Sequence, residues 1–250
     1  MSSTPRQQRD AYDPFAITYN MGMAEDFCRR AWPVVERLLL RESRPPARIL
    51  DLCCGSGQMA RELTHRGYSV VGLDGSSQML QLARQNAPGA EFVLADARVF
   101  SLQARFDAVL SNFNSMAHAL STDELQHIFA NAQSALKRGG KFLFDISMEE
   151  AYTAKWRGSF GDAWRDVAYI VRPSYDRETH MATNQITVFG WEEDEWVRHD
   201  VVITQRCFSE EEILGALLRA GFADVKSYDA ERDLGMAKEF GRRIFVVTGN

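Results

Sequence analysis

The sequence has few cysteines, no long hydrophobic run and no excess of positive charge. Its four cysteines, at positions 28, 53, 54 and 207, form no Cys-x-x-Cys pair and no plausible disulfide framework, which favours a reducing, cytoplasmic compartment. No apolar run approaches the roughly 18 residues that a membrane span needs, and the polar first ten residues contain no secretion signal. A net charge of -5, from 29 basic and 34 acidic residues, argues against a nucleic-acid partner.

Apolar residues are nevertheless abundant enough for a full core. The 250 residues are 45% hydrophobic, which fits one large domain or one domain with an inserted subdomain. The sequence shows neither internal repeats nor a low-complexity tract. We therefore expect a folded cytoplasmic protein that contacts neither membrane nor nucleic acid.

The most informative stretch is Ile-Leu-Asp-Leu-Cys-Cys-Gly-Ser-Gly at residues 49–57. Its apolar start, ending near Asp51, predicts a short buried strand, and its glycines predict a tight turn into a helix that begins near Gln58. Glycine at 55 and 57 permits positive φ and leaves the backbone open to a ligand, while the first helical amides favour electron-rich groups. A Gly-x-Gly alone is more often an ordinary turn, so its meaning depends on the residues that follow.

Downstream, short apolar segments alternate with helical patterns. We predict five parallel strands, the first ending at residue 51 and the others spanning 69–74, 91–95, 106–111 and 141–146. We predict helices near 24–40, 58–66, 77–87, 122–138 and 209–220. Such an alternation predicts a parallel sheet covered on both faces. Period-two segments at 164–173, 181–191 and 196–206 predict an inserted antiparallel meander, and 222–229 with 240–248 predicts an antiparallel hairpin at the sheet edge.

Acidic residues close three successive predicted strands. Asp51 ends the first strand, Asp74 ends the second, and Asp96 directly follows the third. Ligands of open parallel sheets bind beyond the carboxyl ends of the strands, and a carboxylate on the second strand reaches both hydroxyls of a ribose. Asp96 and the Ala97 amide suit the nitrogens of an adenine, and Met79 suits its face. A helix N-cap is the competing interpretation of Asp74.

These segments resemble the motifs of class I S-adenosylmethionine-dependent methyltransferases. The glycine-rich first motif is similar to residues 51–57, and later motifs resemble residues 71–74, 95–97, 106–110 and 136–140. The resemblance implies an α/β, Rossmann-like, seven-stranded and mostly parallel sheet with one antiparallel edge strand. It also implies S-adenosyl-L-methionine as cofactor, with Asp51 and the turn from Gly55 to Gly57 at its methionine end and Asp74 at its ribose. Cys53 stands where the family's first glycine usually does.

Residues 111–118, Ser-Asn-Phe-Asn-Ser-Met-Ala-His, follow the fourth predicted strand. They lack the Asn-Pro-Pro-Tyr pattern of nucleic-acid amino methyltransferases and look more like the Ser-Ser-Ile-Gly-His segment of small-molecule N-methyltransferases, including amino-sugar N,N-dimethyltransferases. The pattern Tyr12-Asp13-x-x-Ala16-x-x-Tyr19 resembles their lid, which implies that Tyr12 and Tyr19 close over cofactor and acceptor. His118 is a candidate base or acceptor-orienting group, or a structural histidine. Asn112 is a candidate acceptor contact, or a turn cap.

The sequence therefore predicts a methyltransferase that acts on a nitrogen or oxygen atom of a small molecule by in-line displacement. We expect a lid at residues 1–46, a core at 47–146 and 209–250, and an acceptor-binding insertion at 147–208. No spacing is typical of a metal site, and a homodimer is compatible with the sequence. The alternatives are an NAD(P)-dependent oxidoreductase, since Gly55-x-Gly57-x-x-Ala60 with Asp74 fits that looser fingerprint, and a non-catalytic S-adenosylmethionine-binding protein. Further acceptor-site candidates are Trp156, Trp164, Trp191, Trp196 and Arg243.

Overall fold

The computed structural model describes residues 12–41, 43–102 and 105–249; residues 1–11 of the predicted lid lie outside them. The N-terminal segment, residues 12–23, forms short helical turns at Asp13–Phe15, Ala16–Thr18 and Tyr19–Met23. It leads into helix α1, Ala24–Val35, which contains Pro33. Helical structure continues through this proline and changes to a π-helical turn at Glu36–Leu40.

The central sheet has seven strands. They are β1 Arg48–Leu52, β2 Ser69–Asp74, β3 Glu91–Leu94, β4 Phe106–Ser111, β5 Leu136–Ser147, β10 Asp224–Asp229 and β11 Arg242–Thr248. Their spatial order is β10-β11-β5-β4-β1-β2-β3. Strands β1 to β5 pair in parallel, whereas β11 pairs antiparallel with both β5 and β10. The parallel sheet and the terminal hairpin are thus confirmed, with the reversed strand one position in from the edge.

Helices cover both faces of this sheet. Helix α2, Gln58–His65, packs with α1 on one face, where Phe27 and Leu63 share a buried cluster with Leu110 of β4. Helix α3, Ser77–Asn86, follows β2. Helices α4, Thr122–Ala135, and α6, Glu210–Arg219, pack on the other face, where Phe129 and Leu217 contact a second cluster. This three-layer arrangement places the carboxyl ends of β1, β2 and β4 along one open edge.

A second, four-stranded antiparallel sheet follows β5. Its strands are β6 Phe160–Ala163, β7 Val167–Asp176, β8 Met181–Glu192 and β9 Glu195–Arg206, in that spatial order. The predicted meander is confirmed as β7, β8 and β9. Helix α5, Glu149–Lys155, and strand β6 were not predicted. Strand β6 is short and exposed throughout, so it lacks the apolar alternation that marks a half-buried strand.

Helix α4 ends earlier than its sequence pattern predicts. The prediction that this helix extends to residue 138 is wrong, because Leu136 already has extended backbone angles and pairs with Phe106. Residues 136–140 therefore belong to β5, next to a register shift between Phe106 and Ala108. Gly139, with φ +76°, lies within this irregular start of β5 rather than at a helix end. Burial of Leu136 favours the extended path.

Candidate functional site

The turn after β1 is built from residues in left-handed conformations. Cys53, Gly55 and Gly57 have φ values of 59°, 53° and 84°, and α2 begins directly after Gly57. A Cβ on Gly57 would lie 2.9 Å from the Cα atom of Ala83, whereas one on Gly55 would face the ring of Tyr19 at 3.4 Å. Gly57 thus allows α2 to approach α3, while Gly55 keeps space beneath the N-terminal segment.

Two of the predicted carboxylates lie beside this turn. Asp74 accepts backbone hydrogen bonds from Gly55 N at 2.8 Å and from Ser76 N at 2.9 Å. Burial raises the pKa of Asp74, and these backbone donors oppose the shift. Asp51 is 2% exposed, and its Oδ2 atom has no hydrogen-bond partner among the described residues. Burial, together with the charge of Asp74, raises the pKa of Asp51 to about 7.

A cavity of about 340 Å³ extends from this turn to the second sheet. Eight of the predicted site residues line it: Tyr12, Tyr19, Gly55, Asp74, Met79, Asp96, Ala97 and His118. Asp51, Gly57 and Asn112 are absent from its lining. Asn112 accepts a hydrogen bond from Ser115 Oγ at its carbonyl, 2.8 Å away, and its Nδ2 atom is buried without a partner among the described residues.

Asp96 is paired with a cation that the sequence analysis did not identify. The Arg98 guanidinium donates to Asp96 through Nη2, at 2.8 Å from Oδ2, and through Nε, at 3.0 Å from Oδ1. Its Nη1 atom lies 3.3 Å from Glu124 Oε1. Arg98 also lines the cavity. A basic residue two positions after the acid that follows a strand is the local signal that would have suggested this pair.

The N-terminal segment is attached to the core on both sides of the turn. Asp13 Oδ1 accepts a hydrogen bond from Ser76 Oγ at 2.5 Å and from Gln78 N at 3.3 Å, at the N-terminus of α3. Asn20 Oδ1 accepts from Gln58 Nε2 and from Asn86 Nδ2, each at 2.7 Å. The segment is therefore fixed across one wall of the cavity.

His118 lies in the wall between the turn and the second sheet. Its Nε2 atom is 3.0 Å from the Tyr12 hydroxyl and 3.2 Å from Gln205 Nε2. Burial lowers the pKa of His118 to about 4; a backbone hydrogen bond with Thr204 opposes the shift and the charge of Arg98 adds to it. The imidazole is consequently neutral at physiological pH.

The loop that carries His118 is held by a buried ionic cluster. Phe113 and Asn114 both have φ near +64°, and Asp145 accepts from their backbone N–H groups at 2.5 Å and 2.8 Å. Arg242 forms ion pairs with Asp145 and with Glu239. Since a non-glycine residue with positive φ is unfavourable by itself, these contacts stabilise the loop geometry.

The second sheet supplies the opposite wall of the cavity. Lining side chains there include Val171, Asn184, Ile186, Ile203 and Gln205. Of the four tryptophan candidates, all of which are described, Trp156 lines the cavity, while Trp191 and Trp196 pair with each other at 5.5 Å and are about half exposed. The lining includes Arg242 but not the predicted Arg243, which lies 3.7 Å from Glu210.

Comparisons with known proteins show what the chain is similar to. Residues 49–140 match the family model described as "Methyltransferase domain". The chain is 28% identical to putative methyltransferase GWCH70_2453 of Geobacillus sp. (strain WCH70), over 94% of this chain and 98% of that one. It is 35% identical to a dTDP-3-amino-3,6-dideoxy-alpha-D-glucopyranose N,N-dimethyltransferase of Streptomyces fradiae, over 50% of this chain and 49% of that enzyme.

Solved structures share the fold across nearly the whole chain. Streptomyces venezuelae DesVI superposes with a TM-score of 0.76 at 23% identity, covering 96% of this chain and 99% of that one. The sugar N-methyltransferase KedS8 from Streptoalloteichus sp. ATCC 53650 superposes with a TM-score of 0.77 at 22% identity, covering 94% of this chain and 92% of that one. At these identities the structures establish the fold alone.

The glycine turn, the acids at the strand ends and the seven-stranded sheet with its reversed strand define the class I methyltransferase architecture. Residues 49–140 match a methyltransferase domain, and the whole chain has the fold of solved S-adenosylmethionine-dependent methyltransferases. Among the described residues, no helix is long and apolar enough to span a membrane.

Proposed function

We propose that this enzyme transfers a methyl group from S-adenosylmethionine to an amine nitrogen of a small, sugar-like acceptor. The observation that carries the proposal is the single cavity lined by Asp74 at one end, by Gln205 at the other and by neutral His118 between them. Such a cavity accommodates a cofactor and an acceptor side by side, as transfer between two bound molecules requires.

The residues at the turn fit the cofactor. Asp51 is not part of the cavity lining, but its buried Oδ2 atom has no partner among the described residues, and this free acceptor suits the ammonium group of the methionine end. Gly55 leaves bare backbone, and each Asp74 oxygen that accepts one backbone N–H keeps a second lone pair for a ribose hydroxyl. When bound, S-adenosylmethionine supplies the methyl group as an electrophilic sulfonium.

Asp96 and Met79 complete the proposed cofactor half. The Arg98 guanidinium donates two hydrogen bonds to Asp96, and we assign Asp96, with the Ala97 amide, to the adenine nitrogens. Met79 is 2% exposed and lines the cavity, where its thioether suits the face of a ring. Tyr12 and Tyr19 cover this half from the N-terminal segment.

The acceptor half orients a substrate without a strong base. His118 is neutral, so its ring accepts a hydrogen bond from an amine N–H or a hydroxyl and holds the nucleophile toward the cofactor. An amine that arrives unprotonated needs no general base, whereas a hydroxyl benefits from one. The low basicity of His118 therefore favours nitrogen as the methylated atom.

A sugar-like acceptor is favoured by the polar lining and by the relatives. Asn184 and Gln205 offer hydrogen bonds of the kind that hydroxyl groups accept and donate, among the aliphatic side chains of Ile186 and Ile203. Relatives named as N,N-dimethyltransferases of dTDP-amino sugars match about half of this chain at 35% and 33% identity. The four free cysteines support the predicted cytoplasmic location. A homodimer stays a prediction.

The test is methyl transfer with a panel of acceptors. The panel contains dTDP-3-amino-3,6-dideoxy-glucopyranose, glycine, sarcosine and demethylmenaquinone, whose methylation is named among the relatives. We expect S-adenosylhomocysteine formation and addition of one or two methyl groups to the amino sugar by mass spectrometry. Turnover of demethylmenaquinone alone would contradict the proposal, and cofactor binding without turnover of any amine would favour a non-catalytic protein.

Cofactor assignment is tested separately by calorimetry. Replacing Asp74 by Ala should weaken S-adenosylmethionine binding at least tenfold, since charge-assisted hydrogen bonds are worth about 1.5 to 3 kcal/mol. Exposed Asp162, on β6, gives a matched Asp162→Ala control that should bind as the wild type does. Because Asp74 also holds Gly55, the variant's fold is checked by circular dichroism. An unchanged dissociation constant in Asp74→Ala would refute the ribose assignment.

A further inference from the structure

A series of side-chain hydrogen bonds runs from the backbone of β5 to His118. It begins at Ser147, whose backbone N donates to Asn114 Oδ1 at 2.7 Å. A backbone N–H group can only donate, so the Asn114 atom that faces it must be the oxygen. The Asn114 Nδ2 atom therefore points the other way, 3.0 Å from Gln205 Oε1 and 3.1 Å from the Tyr152 hydroxyl.

The orientation of Gln205 follows from that of Asn114. Gln205 Oε1 accepts from Asn114 Nδ2 and, at 3.4 Å, from the Tyr152 hydroxyl. Its Nε2 atom then faces His118 Nε2 at 3.2 Å. Turning the Gln205 amide over would place two NH₂ groups 3.0 Å apart in the buried interior, where both would lose an acceptor. Both Asn114 and Gln205 are 6% exposed, so water does not replace these partners easily.

The protonation state of His118 follows in turn. An amide NH₂ group only donates, so His118 Nε2 carries a lone pair and the ring proton lies on Nδ1. That proton matches the backbone hydrogen bond with Thr204, the neighbour of Gln205 on β9. The Tyr12 hydroxyl, 3.0 Å from the same Nε2 atom, consequently also donates to it, so that the two donors share its one lone pair.

We propose that Gln205 is a positioning residue that fixes His118 as the Nδ1–H tautomer with Nε2 as a hydrogen-bond acceptor facing the cavity. The second sheet thereby selects acceptor molecules that present a donor, an amine N–H or a hydroxyl, in the place of the Tyr12 hydroxyl. A carboxylate or carbonyl at that position would face a lone pair and be rejected. The substrate consequence rests on the proposed function, whereas the tautomer does not depend on it.

Among the described residues, Arg98 acts on His118 through its charge, and the Tyr12 hydroxyl, the Gln205 amide and the Thr204 backbone form hydrogen bonds with its ring. Replacing Gln205 by Glu changes one amide into a carboxylate of nearly the same shape. When the carboxyl group introduced by Gln205→Glu is ionised it only accepts hydrogen bonds, so it requires a proton on His118 Nε2 and raises the pKa of His118.

The experiment is NMR spectroscopy of the full chain with ¹⁵N-labelled histidine, using long-range ¹H–¹⁵N correlations that separate the two tautomers. We expect the wild type to show the Nδ1–H tautomer at neutral pH and Gln205→Glu to show a protonated Nε2, with the His118 pKa at least one unit higher. Gln185 lies exposed on β8, and the Gln185→Glu control carries the same chemical change; it should leave the His118 signals in place. An Nε2–H tautomer in the wild type would overturn the proposal, as would identical His118 spectra in wild type and Gln205→Glu at a pH at which the ¹³C shift shows the new carboxyl group to be ionised.

A second variant provides an independent test in case Gln205→Glu does not fold. Gln205→Met keeps the side-chain length but removes both amide groups, so His118 should lose its fixed tautomer and show a mixture. Once an acceptor that the enzyme methylates is identified, kcat/KM of Gln205→Met for that acceptor should be at least tenfold below the wild-type value, while the dissociation constant of S-adenosylmethionine stays unchanged. A His118 spectrum that stays purely Nδ1–H in Gln205→Met would contradict the positioning role. The tautomer is measured without any acceptor, so failure of the proposed amine methylation would leave this result standing.

Discussion

The Tyr12 hydroxyl lies 3.0 Å from Nε2 of His118. The N-terminal segment therefore contacts the residue that separates the proposed cofactor and acceptor halves of the cavity. The rings of Tyr12 and His118 also pack edge to face, with centroids 5.5 Å apart. Tyr12 and Tyr19 both line the cavity, so the N-terminal segment forms part of its wall.

His118 should matter for turnover and not for cofactor affinity. Replacing it by Ala removes the hydrogen-bond acceptor in the cavity wall, and we expect kcat to fall by about 10²-fold or more, as for other positioned polar groups. The dissociation constant of S-adenosylmethionine, measured by calorimetry, should stay within twofold. Exposed His127 on α4 provides the control His127→Ala. Equal turnover in wild type and His118→Ala would make His118 structural.

Cofactor binding should depend on pH through Asp51. Its raised pKa, about 7, means that the carboxyl group is largely protonated below that pH and must ionise to pair with an ammonium group. The dissociation constant of S-adenosylmethionine should therefore decrease by about tenfold as pH rises from 5.5 to 7. His118 stays neutral across this range because its pKa is about 4.

Two controls isolate that effect. Adenosine lacks the methionine end, so its affinity should not follow the ionisation of Asp51. The Asp51→Asn variant cannot ionise at this position, and its affinity for S-adenosylmethionine should be weaker and flat with pH. A wild-type dissociation constant that is constant from pH 5.5 to 7 would exclude Asp51 as the partner of the ammonium group.

Asp13 should control how long the cofactor stays bound. Its carboxylate holds the N-terminal segment to Ser76 and Gln78, so Asp13→Ala should loosen the segment and increase the dissociation rate of S-adenosylmethionine several-fold in stopped-flow measurements. Met21 lies exposed on the same segment, and Met21→Ala should leave the rate unchanged. Equal dissociation rates in Asp13→Ala and wild type would show that the segment does not limit release.

Gly57 should be less tolerant of a side chain than another left-handed glycine. Gly57→Ala adds a Cβ within 2.9 Å of Ala83 at φ +84°, whereas Gly235→Ala adds one at φ +70° with no atom within 4 Å. Both changes incur the left-handed penalty of about 1 to 2 kcal/mol, but Gly57→Ala should lower the free energy of unfolding by more. Equal losses in urea denaturation would show that contact with α3 does not require glycine.

Local sequence signals predicted one half of the cavity lining. The turn at Gly55 and Gly57 and the strand ends at Asp74 and Asp96 depend on residues close together in the chain, and the structure places Gly55, Asp74 and Asp96 along one cavity. The start of α6 was predictable for the same reason, since Ser209 and Glu212 form a capping box within four residues. The functional roles of these residues stay predictions.

The other half depends on contacts between distant parts of the chain. Asn114 meets Gln205 across 91 positions, and Arg242 meets Asp145 across 97, so neither pair has a local pattern. The left-handed backbone of Phe113 and Asn114 also places Asn114, rather than the predicted Asn112, in the cavity lining. Arg98 was missed because an arginine after a strand end is usually a solvated surface residue.

The most direct test of the account is a crystal structure with S-adenosylhomocysteine bound. The account predicts the ribose hydroxyls within hydrogen-bond distance of Asp74, the amino acid end beside Asp51 and the Gly55 turn, and the sulfur facing the part of the cavity that contains His118. A nucleoside bound elsewhere, or an Asp74 carboxylate turned away from the ribose, would contradict it.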